Sequence, residues 1–275
     1  MTRRIAWLNE KGGSGKSTSA LNVSANLATR FGKRVLLVDV DHQANITAVL
    51  TKGEPGPHTL TQVLMDDAPA VKAIRKTRYE NLDLLPADAS LADVNVAMAD
   101  PAGRLGIGRE FRLKRALEPV DGSYDYVIVD TGPQRNLLNI NVLNYVEDVF
   151  VPIDPGFWSI MGVRHLEDLV AQIHEHMGHG RLRIGGVLMT KVQRTNVARE
   201  VEQQVREYFG DRVFHTPIPL NVKVEEAHSR GLAVVDYAPE SAGAQAYLAL
   251  TKEIIAHEHQ ENRAGAVAAP APHDA

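Results

Sequence analysis

The fold is decided by one short stretch of sequence, Lys11-Gly12-Gly13-Ser14-Gly15-Lys16-Ser17-Thr18. It follows the apolar run Ile5–Leu8 and precedes Thr18–Phe31, a segment whose apolar residues have helical spacing. Glycines let backbone N–H groups turn around an anion, and a helix that begins near Lys16 adds its positive N-terminal dipole. Strand, glycine-rich loop and helix in this order predict a phosphate-binding loop.

Two side chains of the loop predict how a nucleotide is held. Lys16 is placed to reach the β- and γ-phosphates, and the Ser17 hydroxyl to bind Mg²⁺. The loop departs from the pattern G-x-x-x-x-G-K-[ST], because Glu10 replaces the first glycine and Lys11 follows it. Two lysines are more charge than one β/γ-phosphate pair needs, so we expect Lys11 to point beyond its own subunit. The predicted nucleotide contacts in the loop are Gly12, Gly13, Ser14, Gly15, Lys16, Ser17 and Thr18.

Composition excludes several classes of protein. The chain has 275 residues, a net charge of −4 and no cysteine, which excludes disulfides, thiolate metal sites and cysteine-held iron–sulfur clusters. With no global positive charge, any contact with nucleic acid must use a local basic patch. No apolar stretch is long enough to span a membrane, and the first residues lack the apolar core of a signal peptide. We therefore expect a cytoplasmic protein without a membrane partner.

Alternation of strands and helices predicts the fold class. Most strand-like runs are continuously apolar, as in parallel sheets buried on both faces; they are Ile5–Leu8, Val35–Val38, Leu82–Leu85, Tyr126–Val129, Val149–Ile153, Gly185–Met189 and a weaker run at Val213–His215. The predicted helices are Thr18–Phe31, Leu137–Val146, Met161–Met177, Val197–Phe209 and a final helix at about Gly243–Ala256. This order predicts an α/β fold with a doubly wound, mostly parallel sheet flanked by helices. We expect one domain over residues 1–258 and a disordered tail over residues 259–275.

Carboxylates follow two of the predicted strands. The second strand ends in Asp39-Val40-Asp41, and the fourth ends in Asp130. An apolar strand that delivers an aspartate to the carboxyl edge of a sheet is typical of a Mg²⁺ site. Three aspartates at strand ends beside a phosphate loop therefore predict a nucleotide and metal site.

These segments resemble the ParA/Soj family of partition ATPases, which are P-loop NTPases of the deviant Walker-A group that also includes MinD. The resemblance extends from Arg4 to about Ile255, and in its most specific part Lys11 matches the family's signature lysine. The other matching segments are Val35–Thr47, Tyr124–Asp130, Ile218–Lys223, Glu226–Gly231 and Ser241–Tyr247.

The resemblance implies a mechanism. ATP and Mg²⁺ drive a sandwich homodimer, in which Lys11 reaches the other subunit's phosphates. Lys11 and Lys16 act in catalysis with Asp41, which positions or activates the attacking water. The magnesium ion is held by Ser17, Asp39 and Asp130, partly through water. Pro219 and Asn221 lie where the family holds adenine.

The resemblance also implies partners. The ATP dimer binds DNA without sequence preference, and a ParB-like or cargo-adaptor protein stimulates slow hydrolysis, so that a chromosome, plasmid or other large cargo is positioned on the nucleoid. Residues 181–231 contain nine Lys or Arg against six Asp or Glu in an acidic chain. The predicted contacts with phosphate backbones are Arg194, Lys223 and Arg230.

Some residues depart from the family pattern, and other functions stay open. The family's Pro and Gly after the second aspartate are His42 and Ala44; its Cys-Pro-Pro is Thr131-Gly132-Pro133, and its Gln-Pro-Glu is Asp154-Pro155-Gly156. One alternative is a metabolic enzyme of the same fold, such as a dethiobiotin synthetase-like ligase. Another is a MinD-like spatial regulator, although the chain's end lacks the basic and bulky apolar faces of a membrane-binding helix.

Overall fold

Seven strands form one sheet in the part of the chain that the structure, a computed structural model, describes: residues 2–156 and 159–267, with only the backbone described for 159–161 and 259–267. The strands are β1 (Arg3–Trp7), β2 (Val35–Val40), β3 (Arg75–Lys76), β4 (Leu82–Leu85), β5 (Tyr126–Thr131), β6 (Asp148–Ile153) and β7 (Arg183–Met189). Their order across the sheet is β3-β4-β2-β5-β1-β6-β7. Only the short β3 runs antiparallel to its neighbour. The prediction of a doubly wound, mostly parallel sheet is confirmed.

The pairing of the central strands brings the predicted carboxylates together. On one side of β5, Asp130 pairs in register with Asp39 of β2, and on the other side it pairs with Trp7 of β1. The phosphate loop leaves the sheet directly after β1. Since all three strands are parallel, their carboxyl ends lie at one edge, where ligands bind in folds of this kind.

The helices cover both faces of this sheet. They are α1 (Lys16–Phe31), α2 (Asn45–Thr51), α3 (Leu60–Met65), α4 (Ala70–Ala73), α5 (Leu91–Ala99), α6 (Arg112–Asp121), α7 (Leu137–Tyr145), α8 (Ser159–Met177), α9 (Asn196–Phe209), α10 (Val222–Ser229), α11 (Val234–Tyr237) and α12 (Ala242–Val267). Across the described ranges, no helix has both the length and the apolar composition that a bilayer crossing requires.

Each strand contributes to two hydrophobic cores because successive side chains point to opposite faces. On one face, Ile5 and Leu37 pack with residues of α1 and α12. On the other face, Ala6 and Leu36 pack with residues of α3 and α5 to α9. Continuous apolar runs such as Val35-Leu36-Leu37-Val38 follow from this burial on both sides.

One predicted strand was wrong, and one strand was missed. The weak run Val213–His215 is not a strand, because its pairing is limited to a single bridge between Val213 and Val187. Phe214 instead donates one backbone hydrogen bond to the carbonyl of Val187, at 3.0 Å, and then leaves the sheet. Strand β3 escaped prediction because it contains two residues, both charged and exposed at the edge of the sheet.

The end of the chain also differs from prediction. Helix α12 continues to Val267, so the predicted helix end near Ala256 is wrong, and the boundary placed at residue 258 falls inside the helix. Residues 258–264 contain Glu, Gln, Ala and Arg but no Gly or Pro, and such residues favour a helix although their polarity indicated a disordered tail. The rest of the predicted tail, residues 268–275, lies outside the described residues.

Gly186 allows a buried ring to pack against β7. A Cβ atom at this position would lie 2.5 Å from Cζ of Phe214. The Phe214 ring cannot move away easily, since it is 2% exposed and makes an edge contact with Phe150 at a centroid distance of 5.1 Å. Phe214 thereby anchors the segment that continues into Pro217–Asn221.

The variant Gly186→Ala should reduce the free energy of unfolding by about 2 kcal/mol, because overpacking a filled core forces neighbouring side chains out of position. Urea denaturation followed by circular dichroism measures this change. Gly180→Ala is the matched control, because nothing lies within 4 Å of a Cβ at that position. Equal denaturation midpoints for the two variants would contradict the packing argument.

Candidate active site

The phosphate loop connects β1 to α1 in a conformation that requires glycine. Gly13 and Gly15 have φ angles of +73° and +93°, in the left-handed region that residues with a Cβ rarely adopt. Helix α1 begins directly after Gly15, so its free N–H groups face the loop. Ser14 is buried, and its carbonyl accepts a hydrogen bond of 2.8 Å from the Thr190 hydroxyl. The loop is therefore braced by β7 in addition to its own strand and helix.

Lys16, the first residue of α1, is the buried cation of the site. Its side chain is almost inaccessible, and Nζ donates a hydrogen bond of 3.3 Å to the carbonyl of Lys11. Burial lowers the pKa of Lys16, while the carboxylates of Asp130 and Asp41 act in the opposite direction. The ammonium group thus lies between the loop and the aspartates at the strand ends.

Asp39, at the end of β2, organises the loop that follows it. One carboxylate oxygen accepts the backbone N–H of Asp41 at 3.2 Å, and the other accepts the N–H and hydroxyl of Thr47, at 2.9 and 2.8 Å. Burial raises the pKa of Asp39 to about 6, although these hydrogen bonds act in the opposite direction. Most of the hydrogen-bond acceptor positions of this carboxylate are therefore occupied by donors of the same chain.

Asp130, at the carboxyl end of β5, is fully buried, and its surroundings differ from those of Asp39. Neither of its carboxylate oxygens makes a hydrogen bond of normal geometry with any of the described residues. Burial, and after it the charge of Asp39, raises the pKa of Asp130 well above its usual range, while the Ser17 hydroxyl and the Lys16 ammonium act against this shift. A buried acidic group without hydrogen-bond donors requires compensation from a bound cation or a proton.

Asp41 lies just beyond β2, at the entrance of the site. Its Oδ1 accepts the backbone N–H of Gln43 at 3.0 Å, and its side chain is 8% exposed. Its carbonyl accepts the N–H of Ala44, which has a left-handed backbone with φ of +50°. Glycine, the family's residue at this position, adopts such a φ without strain. Ala44 keeps the same turn, but its Cβ makes the left-handed backbone sterically unfavourable.

A cavity of about 740 Å³ joins the loop to the C-terminal part of the chain. Of the predicted site residues, those that line it are Gly12, Gly13, Gly15, Lys16, Ser17, Thr18, Asp41, Pro219 and Asn221. Backbone hydrogen bonds from Ile218 to Met189 and from Leu220 to Val192 hold the far wall against β7. The volume is in the range of cavities that hold nucleotide-sized ligands.

Four residues predicted to act at the nucleotide and metal site do not line the cavity itself. Ser14, Asp39 and Asp130 are buried around its base. Lys11 is turned to the outside: its Nζ lies 2.7 Å from each carboxylate oxygen of Asp154, and its side chain is 52% exposed. In this conformation the signature lysine is held by an acidic residue of its own chain, at a position where the family has Gln.

Sequence reasoning missed several residues that shape the site. Thr190 braces the loop, and Asn9 accepts the N–H of Lys11 at 2.9 Å while it donates to the carbonyl of Pro152 at 2.7 Å. Tyr247, from α12, and His228, from α10, line the cavity. Thr190 and Asn9 directly follow predicted strands, which was the available signal. His228 and Tyr247 lie in the matching segments Glu226–Gly231 and Ser241–Tyr247, but no role was predicted for them.

The basic residues predicted to contact DNA are all exposed. Arg194 lies in the loop after β7, which bonds to the segment before α10 through Val192. Lys223 and Arg230 lie at the two ends of α10, and Lys223 forms an ion pair of 2.7 Å with Glu226. The fold therefore brings the two chain segments that carry these residues close to each other, beside the cavity.

Comparison with known proteins agrees with this geometry. A family model described as an AAA domain matches residues 2–184. The chain is 40% identical over 259 residues to the sporulation initiation inhibitor protein Soj of Bacillus subtilis, covering 94% of this chain and 100% of that protein. It is 39% identical over 260 residues to the chromosome partitioning protein ParA of Caulobacter vibrioides, covering 93% and 95% of the two chains.

A solved structure with the same fold contains a nucleotide. Cobyrinic acid a,c-diamide synthase from Mycobacterium smegmatis, crystallised with ADP and magnesium, superposes with a TM-score of 0.79. It is 30% identical to this chain, and the match covers 94% of this chain and 96% of the other. The identities over nearly the whole length of Soj and ParA, together with the phosphate loop and its aspartates, show that this chain belongs to the ParA/Soj-type partition ATPases of the MinD/ParA family.

Proposed function

We propose that this chain uses the binding and slow hydrolysis of Mg²⁺·ATP to partition or position a chromosome, plasmid or other large cargo. The observation that carries the proposal is the phosphate loop with Lys16 buried beside three aspartates at the ends of β2 and β5. Such a site suits a triphosphate with its divalent cation. Relatives named for chromosome partitioning, at 36–39% identity, support the biological role.

The residues at the base of the cavity fit a magnesium ion. Asp130 offers two buried carboxylate oxygens, while the hydroxyl of Ser17 is close enough to affect its pKa. Oxygen ligands of this kind, completed by phosphate and water, are what Mg²⁺ prefers. When bound, the ion would neutralise charge on the phosphates. Asp39 would support it indirectly, because Thr47 and Asp41 already occupy most of its acceptor positions.

Lys11 and Asp41 would act at the phosphate end of the nucleotide. We assign Asp41 to the attacking water, because its carboxylate faces the cavity and is held by the N–H of Gln43. Lys11 would leave Asp154 and reach the phosphates of a second copy, so that ATP forms part of the dimer interface. Exposed ion pairs contribute about 1 kcal/mol or less, so the Lys11–Asp154 contact does not prevent this movement.

The exposed residues Arg194, Lys223 and Arg230 would bind DNA backbones. Each copy presents them beside the cavity, so ATP-dependent dimerisation would double the number of cations on one surface. Contacts of this kind are independent of sequence and weaken with salt. We propose that the ATP dimer binds the nucleoid in the cytoplasm, and that a ParB-like or cargo-adaptor protein stimulates hydrolysis and releases it.

A metabolic role is the second candidate. It is favoured by the 30% identity to a structure named as a cobyrinic acid a,c-diamide synthase. Such an enzyme would turn over ATP rapidly with a small carboxylic acid. The partition protein would do so slowly, and faster only with DNA and its partner.

Turnover measurements distinguish these functions. We expect slow basal ATP hydrolysis that rises only when DNA and the stimulating protein are both present.

Lys16→Ala should lose nucleotide binding, because no other buried ammonium approaches the loop among the described residues. Asp41→Ala should bind ATP and accumulate as a dimer in size-exclusion chromatography. An Asp41→Ala protein that stays monomeric in ATP would contradict the water-positioning role, and fast turnover with a small acid would favour the metabolic role.

Asp130→Asn should raise the stability of the ligand-free protein at pH 7.5. An acid with a raised native pKa binds more protons folded than unfolded, so stability falls from about pH 4 upward through the native pKa. The gain should therefore shrink as the pH is lowered to 5, because protonation of the parent carboxyl removes its buried charge. Thermal unfolding at both pH values measures this gain in stability, with Asp93→Asn, a change at an exposed residue, as the control.

Mg²⁺·ATP should stabilise the parent protein against thermal unfolding but not the Asp130→Asn variant. Equal stabilisation of both would exclude this residue from the metal site.

Lys223→Glu should abolish the mobility shift of DNA in the presence of ATP while dimerisation survives. The change removes a cation and places two acids one helical turn apart, since Glu226 follows on α10. Lys252→Glu makes the same charge change at an exposed position of α12, so it controls for net charge. If Lys223→Glu shifts DNA as well as Lys252→Glu does, the assignment of the basic patch is wrong.

A further inference from the structure

Two departures from the family pattern meet at one carboxylate oxygen. His42 and Gly132 stand where the family has proline, and they belong to different loops, after β2 and β5. Nδ1 of His42 lies 3.5 Å from Oδ1 of Asp41. A Cβ atom on Gly132 would lie 3.3 Å from the same oxygen. The two loops therefore differ from the family at the carboxylate that we assign to the attacking water.

The hydrogen bonds around His42 determine which ring nitrogen carries the proton. Nε2 lies 2.9 Å from the side-chain amide nitrogen of Gln43, which can only donate. Nε2 must then accept, so that in the neutral ring the proton is on Nδ1, the nitrogen that faces Asp41. Nδ1–H therefore faces Oδ1 of Asp41 across 3.5 Å, which is close enough for electrostatic attraction but longer than a normal hydrogen bond.

Gly132 leaves room for this arrangement. A Cβ at this position would lie 2.8 Å from Oε1 of Gln134 in addition to its contact with Asp41. Proline carries a Cβ, so the family's residue would displace one of the two side chains. The backbone N–H of Gln43 donates to the same Asp41 oxygen at 3.0 Å. One backbone donor therefore holds this oxygen, and Nδ1 of His42 faces it at 3.5 Å.

We propose that His42 is a positioning residue for ATP hydrolysis, which acts through Asp41 by donating Nδ1–H to its carboxylate. The inference rests on the proposed role of Asp41. His42 does not line the nucleotide cavity, so its action concerns the rate of the chemical step rather than the binding of ATP. A donor that fixes the rotamer of Asp41 leaves its other oxygen, Oδ2, to orient the water. Proline has no donor for this purpose.

The test compares two variants of the full-length protein. His42→Ala removes the donor, and we expect kcat for ATP to fall about tenfold, the effect of one hydrogen bond to a charged group. The dissociation constant for ATP and the ATP-dependent dimerisation should stay unchanged. His42→Asn places an amide N–H where Nδ1 was, so kcat should return to within about twofold of the parent. His58→Ala, at an exposed position away from the site, controls for the loss of a histidine.

The possible outcomes distinguish a failure of the role proposed for His42 from a failure of the role proposed for Asp41. If Asp41→Asn hydrolyses ATP at the parental rate, the role of Asp41 is wrong. If Asp41→Asn is inactive and His42→Ala turns over as fast as the parent, the role of His42 alone is overturned. A His42→Asn variant as slow as His42→Ala would also overturn it, because the donor would then not be the cause.

Discussion

The candidate site is defined by one electrostatic constraint, an excess of buried carboxylates over buried cations at the carboxyl edge of the sheet. Three buried carboxylates, Asp39, Asp41 and Asp130, share this edge with one buried ammonium, Lys16. Desolvation raises the pKa of Asp39 to about 6 and raises that of Asp130 well above its usual range. Without a ligand, this arrangement is held in place by the rest of the fold at a cost in stability. A divalent cation with a polyphosphate is the kind of ligand that satisfies both the carboxylates and the loop.

Backbone conformation and hydrogen bonds within the chain hold the charged groups of the site in position. Two glycines with positive φ bring the backbone of the loop around the anion site, and Thr190 fixes the loop to β7. Thr47 and the N–H of Asp41 bind the carboxylate of Asp39, which orders the loop that carries Asp41. Lys11 is different, because its ammonium group lies at the surface in an ion pair with Asp154. The site therefore combines buried groups, held by hydrogen bonds within the chain, with one exposed cation.

Much of the fold followed from local pattern, because the central strands are buried on both faces and read as continuous apolar runs. Their boundaries moved by only a few residues. The edge strand β3 could not be predicted, since two charged residues carry no periodicity. Helix α12 extended past its predicted end because polar residues can be good helix formers.

The part of the candidate site that could be predicted consists of residues that belong to recognisable sequence motifs. The loop and the strand-end aspartates were expected to meet, and parallel pairing puts Asp39 beside Asp130. The partners of Lys11, Asp41 and Asp39 depend on which side chains face each other across separate loops, which no short pattern encodes. The contacts that Asp154, His42 and Thr47 make with these residues were therefore found only in the folded chain. The same holds for the positions of Thr190 and Tyr247 at the site.

The most direct measurement is a crystal structure of the protein with a non-hydrolysable ATP analogue and magnesium. We expect the phosphates inside the loop at Lys16, and the magnesium ion on the side of Asp130 and the Ser17 hydroxyl. Phosphates bound elsewhere, or a filled loop in which the Asp130 carboxylate still faces no cation, would contradict the claim that charge imbalance makes this the nucleotide site.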